Sequence, residues 1–365
     1  MIKVCQVVSD TNIGGAGRYL LNYLKYYDRE RYKVSVVLPE KSKLLEFVTA
    51  YQEVNVYEIP HMADKSYDGK CVKILSKLFK KEKFDILHTH ASLSARIAGR
   101  IANIKTIIST RHCIEPCGRT VTSKIKGVLN NILCDYYIGV SDAVSENLLN
   151  CGIKKNKIKT VYNGVEPIRV IDAQSLGKIQ EQYGINESPV FGIFARLEKV
   201  KGHRYFIEAA KEYLSKGNKG TFLIVGDGTL ADELKEMTKD TPQIKFCGYV
   251  KDTAELLNVT DVNVISSESE AMSLAILEAM SLGKPTIATN VGGNPQLIRT
   301  DENGIMTEYK DVVGMCAAFE KMASNGELYN KCSENAKKEF DECFTAQKMV
   351  ERLQGIYQEV SYERK

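Results

Sequence analysis

Residues 266–293 read SSESEAMSLAILEAMSLGKPTIATNVGG. The stretch parses as loop, helix, turn, strand and loop. Leu274, Ile276, Leu277, Ala279, Met280 and Leu282 supply the apolar side of the helix, Gly283 stops it, and Lys284–Thr289 is a β-branched strand. Two carboxylates bracket the helix start: Glu270 falls before it, and Glu278 lies over a turn inside. A helix N-terminus offers unpaired N–H groups and a partial positive charge, which suits phosphate. Two acids flanking an anion would repel it unless they hold neutral hydroxyls on either side. A nucleotide sugar has that layout, with ribose hydroxyls, a diphosphate and sugar hydroxyls in a row. The competing reading makes both acids solvated charges on a helix face. These residues alone leave both readings open.

The segments before this stretch repeat one pattern. Strand 190–195 ends in Arg196-Leu197-Glu198-Lys199-Val200-Lys201-Gly202, and a helix over His203–Ser215 starts there. Strand 221–225 ends in Gly226-Asp227-Gly228, strand 244–247 ends in Gly248, and strand 261–265 leads into the quoted segment. Strands alternating with helices predict a parallel, doubly wound α/β domain whose ligands lie beyond the strands' C-terminal ends. Arg196 and Lys201 share a strand-to-helix loop, so two cations can clamp a diphosphate there, Arg through its planar fork and Lys as a point charge. The helices expected over about 310–324, 327–340 and 345–360 carry no site character.

The first half opens the same way. Strand 2–8 leads to a loop, Ser9–Arg18, with Gly14, Gly15 and Gly17, then to a helix over about 17–26 and a strand over 33–38. Glycines there let a backbone approach a phosphate or sugar. A dinucleotide fingerprint would place its third glycine where Leu20 stands, yet Glu40 resembles a ribose-binding acid. A nicotinamide-dependent oxidoreductase therefore competes at this point. Strands over 84–89, 106–109 and 136–140 run into His90, into Thr110-Arg111-His112 and into Ser141. His88 lies within its strand and reads as a core histidine; His90 is placed at the mouth. Ser141 reads as a helix N-cap. No G-x-S-x-G elbow is present, which argues against a serine hydrolase. Residues 1–168 and 188–344 make the two expected domains, joined by a linker over 169–187 that holds one helix.

Composition fits this division: 365 residues accommodate two full cores. No run of eighteen apolar residues occurs, and MIKVCQVV turns polar too soon for a signal peptide. The ten cysteines include no C-x-x-C, and Cys113 with Cys117 would need two more ligands to hold zinc. A reducing cytoplasm is the expected compartment. The net charge of +4 hides an asymmetry: residues 1–170 hold 27 Lys and Arg against 16 Asp and Glu, a net of +11, and the remainder is at −7. The basic half favours an anionic partner, a lipid surface or a nucleic acid. Lys70, Lys73, Lys77, Lys80 and Lys81 line one side of a helical pattern whose other side is Val72, Leu75, Leu78 and Phe79. This is either a surface helix packed on the sheet or a patch for anionic lipid.

Taken together the motifs resemble the retaining glycosyltransferases of family 4. R-L-x-x-x-K-G at 196–202, G-D-G at 226–228, F-x-G at 246–248, E-x7-E at 270–278 and V-G-G at 291–293 stand in that order. The N-terminal G-G loop, H-T-H at 88–90 and V-x-N-G-V at 161–165 are similar too. The resemblance implies a GT-B fold, two Rossmann-like doubly wound domains facing a central cleft, with the last helix, about 345–365, crossing back onto the first. It implies that Arg196 and Lys201 neutralise the diphosphate, Glu278 binds ribose and Glu270 the transferred sugar. Main-chain amides at Ser273, Leu274, Ala275 and in the Gly14-Gly15 loop would meet phosphate, Gly226 and Gly228 would line the donor site, and His90, with His112, would lie near the sugar. The donor expected is a UDP-sugar used without a metal or other cofactor. The expected acceptor is a glycan or glycolipid and not a nucleic acid, and the expected location is cytoplasmic with peripheral contact to an anionic membrane. The chain departs from the family pattern at Ala271-Met272-Ser273, where E-G-F-G is common, and at Thr110-Arg111-His112-Cys113, where T-x-H precedes glycine. Two other readings are an oxidoreductase, opposed by Leu20 and the second domain, and a non-catalytic partner subunit, opposed by the intact Arg196, Lys201, Glu270 and Glu278.

Overall fold

A computed structural model describes residues 1–118 and 120–362. The chain divides into two compact units, residues 1–164 with 346–365, and residues 165–345. In the first unit the elements run β1 (Ile2–Val8), α1 (Gly15–Tyr26), β2 (Tyr32–Pro39), α2 (Leu45–Val48), β3 (Asn55–Ile59), α3 (Gly69–Glu82) and β4 (Ile86–His90). They continue through α4 (Leu93–Ile101), β5 (Thr106–Arg111), α5 (Val121–Leu133), β6 (Tyr136–Gly139), α6 (Asp142–Asn150) and β7 (Ile158–Thr160). The sheet order is β3-β2-β1-β4-β5-β6-β7, and every pairing is parallel. Val4, Val7, Val36, Val37, Leu87 and Ile107 are fully buried, as a sheet covered on both faces requires.

The second unit holds α7 (Ala173–Tyr183), β8 (Val190–Phe194), α8 (His203–Ser215), β9 (Thr221–Val225), α9 (Ala231–Thr238), β10 (Ile244–Gly248) and α10 (Ala254–Val259). It closes with β11 (Val262–Ile265), α11 (Leu274–Ser281), β12 (Thr286–Thr289), β13 (Gly304–Thr307), α12 (Val312–Ser324) and α13 (Gly326–Glu339). Its sheet, β10-β9-β8-β11-β12-β13, is again all parallel. The strand order reverses between β8 and β11, so the loops after these strands leave the sheet at its switch point.

The chain then returns to the first unit as α14 (Ala346–Tyr362); residues 363–365 lie outside the described residues. Met349, Val350, Leu353, Tyr357 and Val360 of α14 join Leu20, Leu24 and Val34 in one apolar cluster. Tyr357 also accepts a hydrogen bond from Gln6 Nε2 at 2.8 Å.

The expected linker over 169–187 is corrected. It is part of the second unit: Ile179 and Ile185 pack with Leu223, Val225 and Leu256, and Asn258 bonds residues 169 and 171. Its apolar residues are too many to stay solvated. α3 is the surface helix packed on the sheet, with Cys71, Leu75 and Phe79 in the core and its lysines exposed.

Candidate active site

In the second unit, three loops leave the C-terminal ends of β8, β9 and β11 and are stitched together through the backbone. Leu197 N–H donates to Asp227 O at 3.0 Å, Leu230 N–H to Leu197 O at 3.0 Å, and Glu268 N–H to Val200 O at 2.8 Å. Ser266 Oγ donates to Lys201 O at 3.0 Å. The glycines permit this closeness. Gly226 has φ +146°, and a Cβ there would lie 2.0 Å from Ala195 O; at Gly202, φ +67°, it would lie 2.0 Å from Ser266 O. Gly228 is held as tightly, 2.6 Å from Leu197 O. Gly226 and Gly228 thus have a packing reason to be glycine besides any ligand.

The stitched loops bring Lys201 and Glu270 together. Lys201 Nζ donates to Glu270 Oε1 at 2.6 Å, and Ser267 Oγ donates to the same oxygen at 2.7 Å. The loop is pinned from the other side by Gly293 N–H on Glu270 O at 3.1 Å and by Thr289 Oγ1 on Ser267 O at 2.7 Å. Arg196 is exposed, and its guanidinium has no hydrogen-bond or ion-pair partner among the described residues. α11 begins at Leu274 with Ser273 at the N-cap in extended conformation, and Ser273 makes no side-chain capping bond. Its N–H groups at Ala275 and Ile276 thus lack the acceptor that a serine there normally supplies, and Leu274 N–H is one of the helix's unpaired first donors. Glu278 is half-buried inside that helix. Sequence reasoning missed Ser267 and Thr289; only their hydroxyls hinted at a role.

In the first unit, α1 starts at Gly15 rather than Gly17, with Gly14 as N-cap. A Cβ at either glycine would meet nothing of this chain within 4 Å, so the chain's own packing does not require glycine there. Below this loop three imidazoles stack. His88 and His90 have centroids 4.9 Å apart and His90 and His112 5.1 Å, near parallel, with the Tyr19 ring set edge-on to all three. His88 is the core histidine expected, with Nδ1 2.5 Å from Tyr357 Oη and Nε2 2.6 Å from Thr110 Oγ1. His90 is the last residue of β4, at the strand end where it was expected, but it is only 5% exposed and lies against the Tyr19 ring.

The network assigns the tautomers. Gln6 Nε2 donates to Tyr357, so Gln6 Oε1 accepts from His90 Nε2 at 3.4 Å. His90 Nδ1 then accepts from His112 Nε2 at 2.8 Å, which leaves His112 Nδ1 an acceptor. Burial depresses all three, His88 to about 3 and His112 to about 4, with His90 well below its ordinary value and its neighbours adding repulsion. The column is neutral at pH 7. Gln6, Tyr19 and Tyr357 were not legible as site residues, because nothing in their local sequence marks them.

Cys117 and Cys151 form a disulfide, with Cα atoms 5.1 Å apart across 34 residues, where scattered reduced thiols were expected. Cys113 stays free. No helix among the described residues is long and apolar enough to cross a membrane.

Two parallel doubly wound units, joined by a returning C-terminal helix and carrying a cationic loop opposite a glutamate, define the GT-B class of transferase. Residues 13–169 match the family model described as Glycosyltransferase Family 4, and residues 177–339 match that described as Glycosyl transferases group 1. The chain belongs to the family-4 glycosyltransferases, which removes the oxidoreductase and non-catalytic readings. It is 27% identical to an Escherichia coli protein named UDP-Gal:alpha-D-GlcNAc-diphosphoundecaprenol alpha-1,3-galactosyltransferase, over 98% of this chain and 96% of the relative. It is 29% identical to the N-acetyl-alpha-D-glucosaminyl L-malate synthase of Bacillus anthracis, over 85% and 84%. Among solved structures, HepE of Anabaena in complex with UDP superposes with a TM-score of 0.86 at 20% identity, covering 98% of this chain and 100% of that one.

Proposed function

We propose that this enzyme transfers a sugar, with retention, from a UDP-sugar to a hydroxyl of a lipid-linked or surface-polysaccharide glycan precursor. The observation that carries the reading is the 2.6 Å pair of Lys201 with Glu270 at the entrance to α11. In this reading the cation meets the diphosphate and the carboxylate beside it meets the sugar. Arg196 and Lys201 take the diphosphate, Glu278 the ribose hydroxyls and Glu270 the sugar. The α11 amides at Ser273, Leu274 and Ala275 add further donors to phosphate. The relatives support the donor and acceptor classes: one carries UDP-Gal and a diphosphoundecaprenol acceptor in its name, and HepE was solved with UDP.

In the proposed step the bond between the anomeric carbon and the β-phosphate oxygen breaks, and its electron pair leaves with UDP. The acceptor hydroxyl bonds to the same face of that carbon and passes its proton to the departing phosphate. Arg196 and Lys201 stabilise the charge that grows on the leaving group, so no metal is needed for that task. Glu270 faces the positive charge that grows on the sugar ring. The first unit, which carries His90 and His112, takes the acceptor.

Calorimetry with UDP, and turnover of a panel of UDP-sugars in excess EDTA, test this. Micromolar UDP binding and turnover that survive chelation are expected. Activity that vanishes with EDTA and returns with Mn²⁺ would overturn metal independence. Binding of ADP or GDP in preference to UDP would overturn the donor.

A further inference from the structure

α5 is built inside out. Its inward side is small and polar. Gly127 lies against the backbone of the 151–152 turn, where a Cβ would come within 3.0 Å of Cys151 O. Asn130 is buried, with Oδ1 accepting from Arg96 Nη1 at 2.9 Å and its carbonyl accepting from Tyr137 Oη at 3.0 Å. Asn131 Nδ2 donates to Gly127 O and Gly152 O, each at 2.8 Å, and its Oδ1 accepts from Lys154 N–H at 3.0 Å. These bonds fix the rotation of the helix about its axis.

The outward side is apolar. Ile125 is 63% exposed, Val128 62%, Leu129 43% and Ile132 62%. Their spacing places them in a single stripe. Among the described residues, no other helix exposes more than one large apolar side chain. α5 contains no acid, and exposed lysines surround the stripe: Lys124 and Lys126 on the helix, Lys154 and Lys155 beside its end. A cavity of about 140 Å³ alongside is lined by Arg111, Lys124 and Lys126 against the single acid Glu115. Glu115 pairs with both Arg111 Nη1 and Lys126 Nζ, the latter at 3.7 Å, so Lys124, Lys154 and Lys155 are the cations that face no acid among the described residues.

We propose that α5 is a docking helix that seats this protein on an anionic phospholipid surface. The stripe enters between the headgroups while the lysine ammonium groups stay at phosphate level. A neutral protein partner would leave that collar of cations unmatched. The lysine helix α3 is the weaker candidate, because its apolar side is already spent in the core. The proposal is independent of the UDP-sugar reading, since it concerns binding by the first unit alone.

Co-sedimentation of the full chain with vesicles tests it, using phosphatidylcholine alone and an equal mixture with phosphatidylglycerol. The wild type should sediment with the mixed vesicles and be released by salt. The triple variant I125S/V128S/I132S should lose at least about ten-fold in partition while keeping its thermal midpoint, because these side chains touch solvent. The variant K73E/K77E on α3 should lose less. Equal sedimentation of the wild type and the triple variant overturns the proposal, as does equal binding to both vesicle types. A wild type that is dimeric, becomes monomeric in the triple variant and ignores vesicles overturns it in favour of a second copy of the chain.

Discussion

Glu270 and Glu278 are eight positions apart and carry different duties in the proposed reaction. Glu278→Gln removes a charged acceptor from ribose hydroxyls present before and during transfer. It should weaken UDP and UDP-sugar alike, by roughly ten- to a hundred-fold. Glu270 pairs with Lys201 and Ser267 and is assigned to the sugar side. Glu270→Gln should leave UDP affinity within a few-fold and lower kcat by about a hundred-fold or more. Calorimetry with steady-state kinetics on both variants separates the roles, and the opposite pattern would reverse them. Gly226 gives a second test at this scale. A methyl there would collide with Ala195 O at 2.0 Å in a backbone conformation with φ +146°. Gly226→Ala should cost about 1–3 kcal/mol of stability in the second unit and pull the Arg196–Lys201 loop off its position, so UDP affinity falls too. A variant with wild-type melting and affinity would show that this loop is not held by the contact.

Elements differ in how far the sequence exposes them, and the reason is physical. In the second unit each strand is a short apolar run cut by glycine, so α8 was legible to its terminal residues and α11 from its first. The stitched loops were legible as motifs, although the partners of Glu270 were not, since a hydrogen bond across 69 residues leaves no local trace. The edge strands β3 and β13 escaped because they are short, five and four residues, and β3 is also partly exposed. α5 escaped for a deeper reason. Periodicity reports that one side of a helix is apolar and not which side faces in. Here asparagine and glycine face in, because Arg96 must have a buried acceptor. Asn130→Leu therefore should destabilise, by about 1–2 kcal/mol, since it takes one of three acceptors from a buried guanidinium that keeps Tyr137 Oη and Ser92 O. Ile132→Ser should change stability by less than about 0.5 kcal/mol. Denaturant melts of both check this, and a stabilised Asn130→Leu would mean that Arg96 finds another partner.

Across the whole molecule the two units differ most in their buried histidines. His88, His90 and His112 stack in the first unit, whereas the second holds only His203, depressed to about 4 by burial and by Lys201. All are neutral when folded and titrate near pH 6.5 when unfolded. Between pH 6.5 and 4 the unfolded chain therefore binds protons that the folded chain refuses. Stability contributed by this difference is complete above about pH 6.5 and declines as pH falls toward the depressed folded values. Each ring can add up to about 1.4 kcal/mol per pH unit, so three approach about 4 and one stays near 1.4. Carboxylates held low by hydrogen bonds, such as Asp64 and Asp68, act only below their ordinary value of 3.8 and leave this window to the histidines. Hydrogen exchange at pH 7, 6 and 5, corrected for intrinsic rates, should show protection in β1, β4 and α14 falling much faster than in β8 and β11. His112→Gln removes one ring and should reduce the first unit's slope by about a third. Equal slopes in the two units would mean that the column is protonated without unfolding, and the neutral relay from Tyr357 to His112 would be wrong.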